Sequence, residues 1–236
     1  VNTHYIDFLA IHKEQRNKNL APLVISHIAK VCYSPEYPCY IFKKEKTPLP
    51  FRYLAKCSYY YYNCNVPIID YVLKEDYSLS LLNLKNDIDN VYEFFSNIQK
   101  RYKIGLNCNI EHFTYLFTPI DNINYTYVLK HKDRVIGICN FILHRVNINN
   151  STAKVIEVTT LEIVPDINIT LCDFFKLIIK ECKKVGIYYI TVSNIGQNRI
   201  IIDRLNMSFS MDYFIHMYNY HIKGKIQNYE IGYNFV

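Results

Sequence analysis

Tryptophan is absent from this 236-residue chain, and glycine and proline are scarce, at 6 and 8 copies. Half of the residues are hydrophobic and 20% are charged, so a mostly disordered chain, collagen and a Gly/Ser linker protein are excluded. No apolar run reaches the roughly 18 residues of a membrane span, and no basic stretch leads into an apolar one at the start. Neither a transmembrane segment nor a signal peptide is therefore expected. No two of the 8 cysteines have the two-residue spacing of a zinc knuckle or a redox motif. We read them as reduced thiols that fill core positions, and expect no metal. His12, His112 and His144 are likewise not spaced as a metal site. The excess of basic over acidic residues, 27 against 21, gives a net charge of only +6. That balance admits an anionic partner such as a phosphate-bearing molecule and does not call for nucleic acid, which we do not expect as a partner. The 23 tyrosines accompany many Ile, Asn and Lys, a drift toward A/T-rich codons, and are no sign of base stacking. The chain begins with Val1, which reads as a processed or partial chain.

What is present is a regular alternation of strand and helix signals. A buried strand is expected at 5–11, then a polar loop from His12 to Asn19. An amphipathic helix follows, with Leu20, Leu23, Val24, His27, Ile28 and Val31 at helical spacing and Pro22 in its first turn. A strand is expected at 39–42, and the tyrosine run 59–62 reads as a strand or a surface stretch. Helices are expected from Asp87 to Tyr102 and over 110–117, a hairpin from strands 124–130 and 134–143, and a strand at 153–163. A helix over 171–184, a strand at 187–192, a helix at 198–205 and a strand at 213–221 complete the order. Strand, loop, helix, strand thus occurs at 5–42 and again at 155–192. We place a boundary near residue 80.

The loop between the first strand and helix is the most informative segment. Its backbone N–H groups point off a helix N-terminus, and Lys13, Arg16 and Lys18 add positive charge, which makes an anion site. A solvated basic turn capping a helix is the alternative from the residues alone. Arg16-x-x-Asn19-x-Ala21 echoes the Arg/Gln-x-x-Gly-x-Gly/Ala loop of N-acetyltransferase folds. The fuller string, Phe8-Leu-Ala-Ile-His-Lys13 followed by Arg16, Lys18, Leu20-Ala-Pro22 and Ile25, closely resembles the signature of the glycylpeptide N-tetradecanoyltransferase (N-myristoyltransferase) family. Weaker matches follow in order. Pro50-Phe-Arg-Tyr53 resembles the family's Cys-Arg-Tyr-Trp-His, Ile110-Glu-His-Phe113 its Val-Glu-His-Trp, and Met217-Tyr-Asn-Tyr220 its Leu-Tyr-Asn-Trp. The tail Glu230-Ile-Gly-Tyr-Asn-Phe-Val236 ends four residues after its glycine, as the family's does.

The resemblance implies a mixed α/β fold of tandem acetyltransferase-like (GNAT) halves, the first truncated at its N-terminus. Residues 1–80 would then be the C-terminal part of the acyl-CoA half, and 81–236 the peptide half. It implies transfer of myristate from myristoyl-CoA, as co-substrate rather than cofactor, to the N-terminal glycine of peptides or proteins. By position, the backbone amides of Phe8 and Leu9 would form an oxyanion hole. Leu9, Ala10 and Ile11 would line the acyl-CoA path, and Arg16, Asn17, Lys18, Asn19, Leu20 and Ala21 would hold the coenzyme A phosphates. The carboxylate of Val236 would accept a proton from, or orient, the glycine ammonium. Tyr40, Ile41 and Tyr53 would border the peptide groove, and Asn194 would touch peptide, a helix cap being its other reading. A cytoplasmic monomer serving lipoprotein biosynthesis is the corresponding expectation.

The sequence departs from the family in three places. The family's catalytic unit extends well upstream, Ala55 stands where a groove histidine would, and Met207-Ser-Phe-Ser-Met-Asp212 replaces a glycine-rich turn that carries an aspartate. A non-catalytic relative that binds acyl-CoA or acylated peptide is therefore the alternative function, and a small-molecule N-acyltransferase a third.

Overall fold

The computed structural model describes residues 2–6, 12–50, 52–67, 71–148, 151–164, 168–218 and 224–234. Among them are nine strands and five α-helices in a mixed α/β arrangement. The chain gathers into two compact units, both discontinuous in sequence. One is Val1–Cys57 with Asp212–Ile226 and Phe235–Val236; the other is Ser58–Met211 with Gln227–Asn234. A linear reading divides the chain once, near residue 80, because it has no means of seeing a late strand return to an early one.

In the first unit, β1 (Thr3–Ile6) runs parallel to β2 (Cys39–Glu45), with α1 (Leu20–Val31) between them. Parallel neighbours need a crossover, and α1 supplies it. Strand β9 (Ser208–Tyr218) lies antiparallel to β2, pairing Tyr40 with Tyr218 and Phe42 with His216. The start of β3 (Tyr53–Asn63) comes next, so the order is β1-β2-β9-β3. Helix α1 has no fully buried residue. Its half-buried face is Ala21, Ile25, Ile28 and Ala29, while Leu23 and Val31 stay 63% and 70% exposed. The expected face was thus rotated by about one position. The Tyr40 hydroxyl, which donates to the Ala29 carbonyl at 2.8 Å, fixes the small-residue side inward.

The second unit continues β3 into the order β3-β8-β7-β6-β5-β4, with β8 (Tyr189–Ser193), β7 (Ser151–Ile163), β6 (Arg134–Ile148), β5 (Asn124–His131) and β4 (Tyr77–Leu81). Every pairing from β7 to β4 is antiparallel, and β7 with β8 is parallel. Lys132 has φ of 54°, the positive value that a two-residue hairpin turn requires between His131 and Arg134. Helix α4 (Leu171–Lys184) buries Phe174, Phe175, Ile178 and Cys182 on one stripe and starts at a reciprocal Thr170–Asp173 capping box. Helices α2 (Ile88–Gln99) and α3 (Ile110–Phe117) meet through Phe95, Phe113 and Phe117, with Phe113 and Phe117 stacked at 4.3 Å. The last helix, α5 (Arg199–Arg204), is short.

Candidate functional site

The described part of the basic turn in the first unit starts at His12. A 3-10 turn at Lys13–Gln15 is followed by Arg16 in an extended conformation and by two left-handed residues, Asn17 (φ 66°) and Asn19 (φ 55°). Asparagine is the non-glycine residue best suited to that region. Asn19 therefore occupies, in this chain, a backbone state that glycine would otherwise favour. It is also the N-cap of α1, and its side chain makes no capping hydrogen bond. Pro22 removes one outward donor, so the N–H groups of Leu20 and Ala21 are those left facing off the helix end. Residues 12–19 are all exposed, and Lys18 Nζ donates to Gln15 Oε1 at 2.9 Å. His12 lies 4.0 Å from Glu14. This is an exposed basic turn on a helix N-terminus, an arrangement that is chemically able to meet an anion from solvent. Phe8, Leu9, Ala10, Ile11 and Val236 lie outside the described residues.

One face of the same unit carries the aromatic candidates. Alternation along β2 puts Tyr40 and Phe42 on one side and Ile41 on the other. Tyr40 and Ile41 are buried, and Tyr53 is half-buried. Phe42 stacks on its cross-strand partner His216 at 5.5 Å, and Tyr53 meets His216 edge-on at 6.3 Å and Phe214 at 5.0 Å. The structure thus brings Tyr40 and Tyr53 to one face and leaves Ile41 on the opposite one. His216 is fully buried, takes the Leu49 N–H on Nε2 at 3.4 Å, and is held below its ordinary pKa chiefly by burial, which disfavours the imidazolium. An open cleft beside α1 is lined by Ser26, Ala29, Lys30, Tyr33 and Tyr218. Residues 208–212, where the family has a glycine-rich turn, belong to β9, and Asp212 is engaged by Lys56 at 2.6 Å.

In the second unit Asn194, just past β8, is buried. Its Oδ1 accepts from the Ser58 N–H at 2.8 Å while its own N–H donates to the Ser58 carbonyl at 3.0 Å. It extends the β3–β8 ladder by one side-chain rung. The N-cap of α5 is Asn198, so Asn194 does not cap that helix.

The tail of this unit is held closely. Ile104 and Lys103 donate to the Glu230 carbonyl, Gly232 donates to Ile104 at 2.8 Å, Gln99 Nε2 donates to Gly232 at 2.8 Å, and Asn234 donates to Thr159 at 3.0 Å. Beside the tail, the Tyr102 hydroxyl donates to Glu162 Oε1 at 2.7 Å. Glu162 is 3% exposed, and burial raises its pKa to about 7 against the opposing pull of the Tyr102 hydrogen bond and Arg101. Sequence reasoning passes over His216, Tyr102 and Glu162, because His216 and Glu162 sit in largely apolar strands and Tyr102 in a basic turn after α2, and none gives a local sign of function. No group of His, Cys, Asp or Glu among the described residues could hold a metal ion.

No protein-family model matches the sequence, and no curated protein sequence matches it. Solved structures do. Saccharomyces cerevisiae N-myristoyltransferase with bound myristoyl-CoA aligns at a TM-score of 0.82 and 17% identity, covering 98% of this chain and 68% of that one. The fold is that of N-myristoyltransferase. A second structure of the yeast enzyme, with myristoyl-CoA and inhibitors, gives 0.78 at 19% identity, covering 95% and 62%. A third, with myristoyl-CoA, gives 0.80 at 17%, covering 98% and 65%. The chain thus spans roughly two thirds of the length of the N-myristoyltransferases it is similar to. No helix among the described residues is long and apolar enough to cross a membrane.

Proposed function

We propose that this chain carries out, or forms the larger part of a protein that carries out, transfer of a myristoyl group from myristoyl-CoA to an N-terminal glycine. The observation that carries the reading is the turn at 16–21. It presents the residues of the N-myristoyltransferase-like string at a helix N-terminus, in a fold that matches myristoyl-CoA-bound structures. Phosphates of coenzyme A meet the Leu20 and Ala21 amides with Arg16, Lys18 and Lys13 around them. The Phe8 and Leu9 amides stabilise the oxyanion as the glycine amine attacks the thioester carbonyl. The C–N bond forms, the C–S bond breaks, and coenzyme A leaves as its thiol with the proton the amine gives up.

The Val236 carboxylate serves mainly to seat the ammonium. A terminal carboxylate titrates near 3.5 and an α-amine near 8, so direct proton transfer in water is uphill by about 6 kcal/mol. Either burial raises the carboxylate, or it holds an amine that loses its proton to water. Tyr40, Ile41, Tyr53 and Asn194 are proposed as peptide-side residues, with Tyr40 and Tyr53 supplying a shared aromatic face. The protein is proposed to act in the cytoplasm as a monomer. The test is transfer of labelled myristoyl-CoA to a glycine-initiated peptide by the chain and by a version lacking Phe235 and Val236. Transfer that collapses on truncation supports the reading. Binding of myristoyl-CoA without transfer identifies a binding relative instead, and transfer that survives truncation removes the carboxylate from the mechanism.

A further inference from the structure

Three segments of the second unit meet where α4 ends: the turn after β3 at 63–67, the helix terminus and its exit at 180–188, and β7 at Lys154. Backbone bonds tie them together, from the Cys64 N–H to the Tyr188 carbonyl at 2.9 Å and from the Tyr188 N–H to the Lys154 carbonyl at 3.1 Å. Gly186, at φ 72°, turns the chain off the helix there. Two ammonium groups span the joints. Lys154 Nζ donates to the Val185 carbonyl at 3.2 Å, and Lys183 Nζ to the Val66 carbonyl at 3.3 Å. Both acceptors are neutral, so these bonds place the side chains without cancelling their charge. Lys180 and Lys184 lie on the last turns of the helix, and Lys184 is paired with Glu181 at 2.6 Å. Across the three segments four lysines thus stand against one carboxylate. Beside them three large apolar side chains are open to solvent: Val66 at 47%, Val185 at 39% and Tyr188 at 48%. Attraction to the helix dipole accounts for lysines at a helix C-terminus, but not for the apolar side chains among them.

We propose that this end of the second unit is a docking surface for an anionic lipid membrane. The lysine ammoniums meet the headgroup charges, while Val66, Val185 and Tyr188 enter the interfacial layer. Charge complementarity selects an anionic partner, and the apolar side chains select lipid among anions. A valine neither stacks on a base nor hydrogen-bonds to a phosphate, so it adds nothing to a nucleic-acid surface. At a bilayer the same side chain leaves water, a tyrosine sits at headgroup level with its hydroxyl wet, and lysine stems lie along apolar surface with the charge held outward. Each lysine near an anionic bilayer raises partitioning by about fivefold, so the attachment is reversible and sensitive to salt. The proposal goes beyond the transferase reading and does not rest on it, and every residue it uses belongs to one unit.

The test is sedimentation of the chain with phosphatidylcholine vesicles containing about 30% phosphatidylserine, and with pure phosphatidylcholine, at about 0.05 M and about 0.5 M salt. Binding to the anionic vesicles at low salt and none to the neutral ones is expected. Because the whole chain carries a charge of +6, an equal loss of charge elsewhere must be compared. Lys154→Gln, Lys180→Gln and Lys183→Gln together should lower partitioning ~100-fold, whereas Lys85→Gln, Lys100→Gln and Lys132→Gln together should lower it by less than about threefold. Glutamine keeps a donor for the Val185 and Val66 carbonyls, and a melting temperature within about 3 °C of wild type shows that the fold survives. Should the patch variant melt early, Lys180→Gln with Lys184→Gln reads the same surface, with an expected loss of ~10-fold or more. Val185→Ser with Tyr188→Ser should lower the binding that remains at high salt by roughly fivefold. No binding to anionic vesicles, or equal losses in the patch and control variants, overturns the proposal. So does a labelled duplex RNA that binds the wild type and not the patch variant while vesicles stay free, which makes this end a nucleic-acid surface instead.

Discussion

Glu162 makes the stability of the chain depend on pH in a direction that can be worked out beforehand. Burial lifts this carboxyl from 4.5 to about 7, so the folded protein holds the proton more tightly than the unfolded chain does. Between those two values the native state therefore carries more protons, and stability must fall as pH rises through the window. Above pH 7 the destabilisation is complete. A difference of about two and a half pH units, at 1.36 kcal/mol each, amounts to about 3 kcal/mol. At pH 5 most of that has disappeared, and the remaining cost is about 1 kcal/mol. The group is almost wholly buried, so solvent screening reduces these figures little.

Glu162→Gln removes the titration but leaves a side chain of the same shape. Its new amide adds a fixed cost, because the atom replacing Oε2 has no partner to donate to, and that cost does not vary with pH. The informative quantity is thus the difference in unfolding free energy between variant and wild type, followed from pH 5 to pH 8. It should move about 2 kcal/mol in the variant's favour, which is close to 1 M in urea midpoint for a chain of this size. Histidines and other carboxyls titrate in both proteins and cancel. Urea unfolding curves at pH 5, 6, 7 and 8 would measure it. Curves that stay parallel, with a pH-independent difference, would mean that Glu162 is already ionised in the native state near pH 5, and the reasoning from its burial would be refuted.

Gly232→Ala should cost about 2–3 kcal/mol, because a methyl needs about 1.5 Å more room than the ring of Tyr102 leaves, and the tail must give up the hydrogen bonds to Ile104 and Gln99. Combined with Tyr102→Ala the cost should be less than the sum of the two, and additive losses in thermal unfolding would argue against that contact. Asn194→Ala strands the buried Ser58 N–H and should lower stability by about 1–3 kcal/mol, whereas Asn194→Asp, which keeps the acceptor, should lose less; equal losses would show that the rung is not what matters. Replacing Lys13, Arg16 and Lys18 together by Gln should weaken coenzyme A binding by about 2 kcal/mol at low salt and by much less at high salt, since all three are exposed and screened. A calorimetric affinity that does not respond to the change would remove the turn from the binding site.

Local signals carried most of the secondary structure. The 171–184 helix, the 110–117 helix behind Asn109 and the hairpin expected at 124–143, whose second strand runs on to Ile148, are legible because their caps, turn residues and apolar periods agree with one another. Strand β4 was missed although Tyr77-Ser-Leu-Ser-Leu81 alternates: it is an edge strand of only five residues with three apolar positions, too short a run to stand out from a loop. The face of α1 was misplaced because no residue of that helix is fully buried, so hydrophobicity alone does not choose its orientation; the hydroxyl of Tyr40, eleven residues past Ala29, does. Asn194 drew notice as a polar residue at a strand end, yet its side chain is consumed by the backbone of Ser58, 136 residues away in sequence.

The two parts of the candidate site differ in how far a sequence can show them for the same reason. A phosphate turn is local. Its left-handed residues, its charges and the helix they open lie within nine positions, and the side chains at 17 and 19 are the ones that tolerate the required φ. The packing around residues 230–234 is non-local. Tyr102, Glu162, Gly196 and Gly232 come from four separated segments, and none is unusual where it stands. The glycine is informative only once the ring beside it is known, and the acid only once its burial is known.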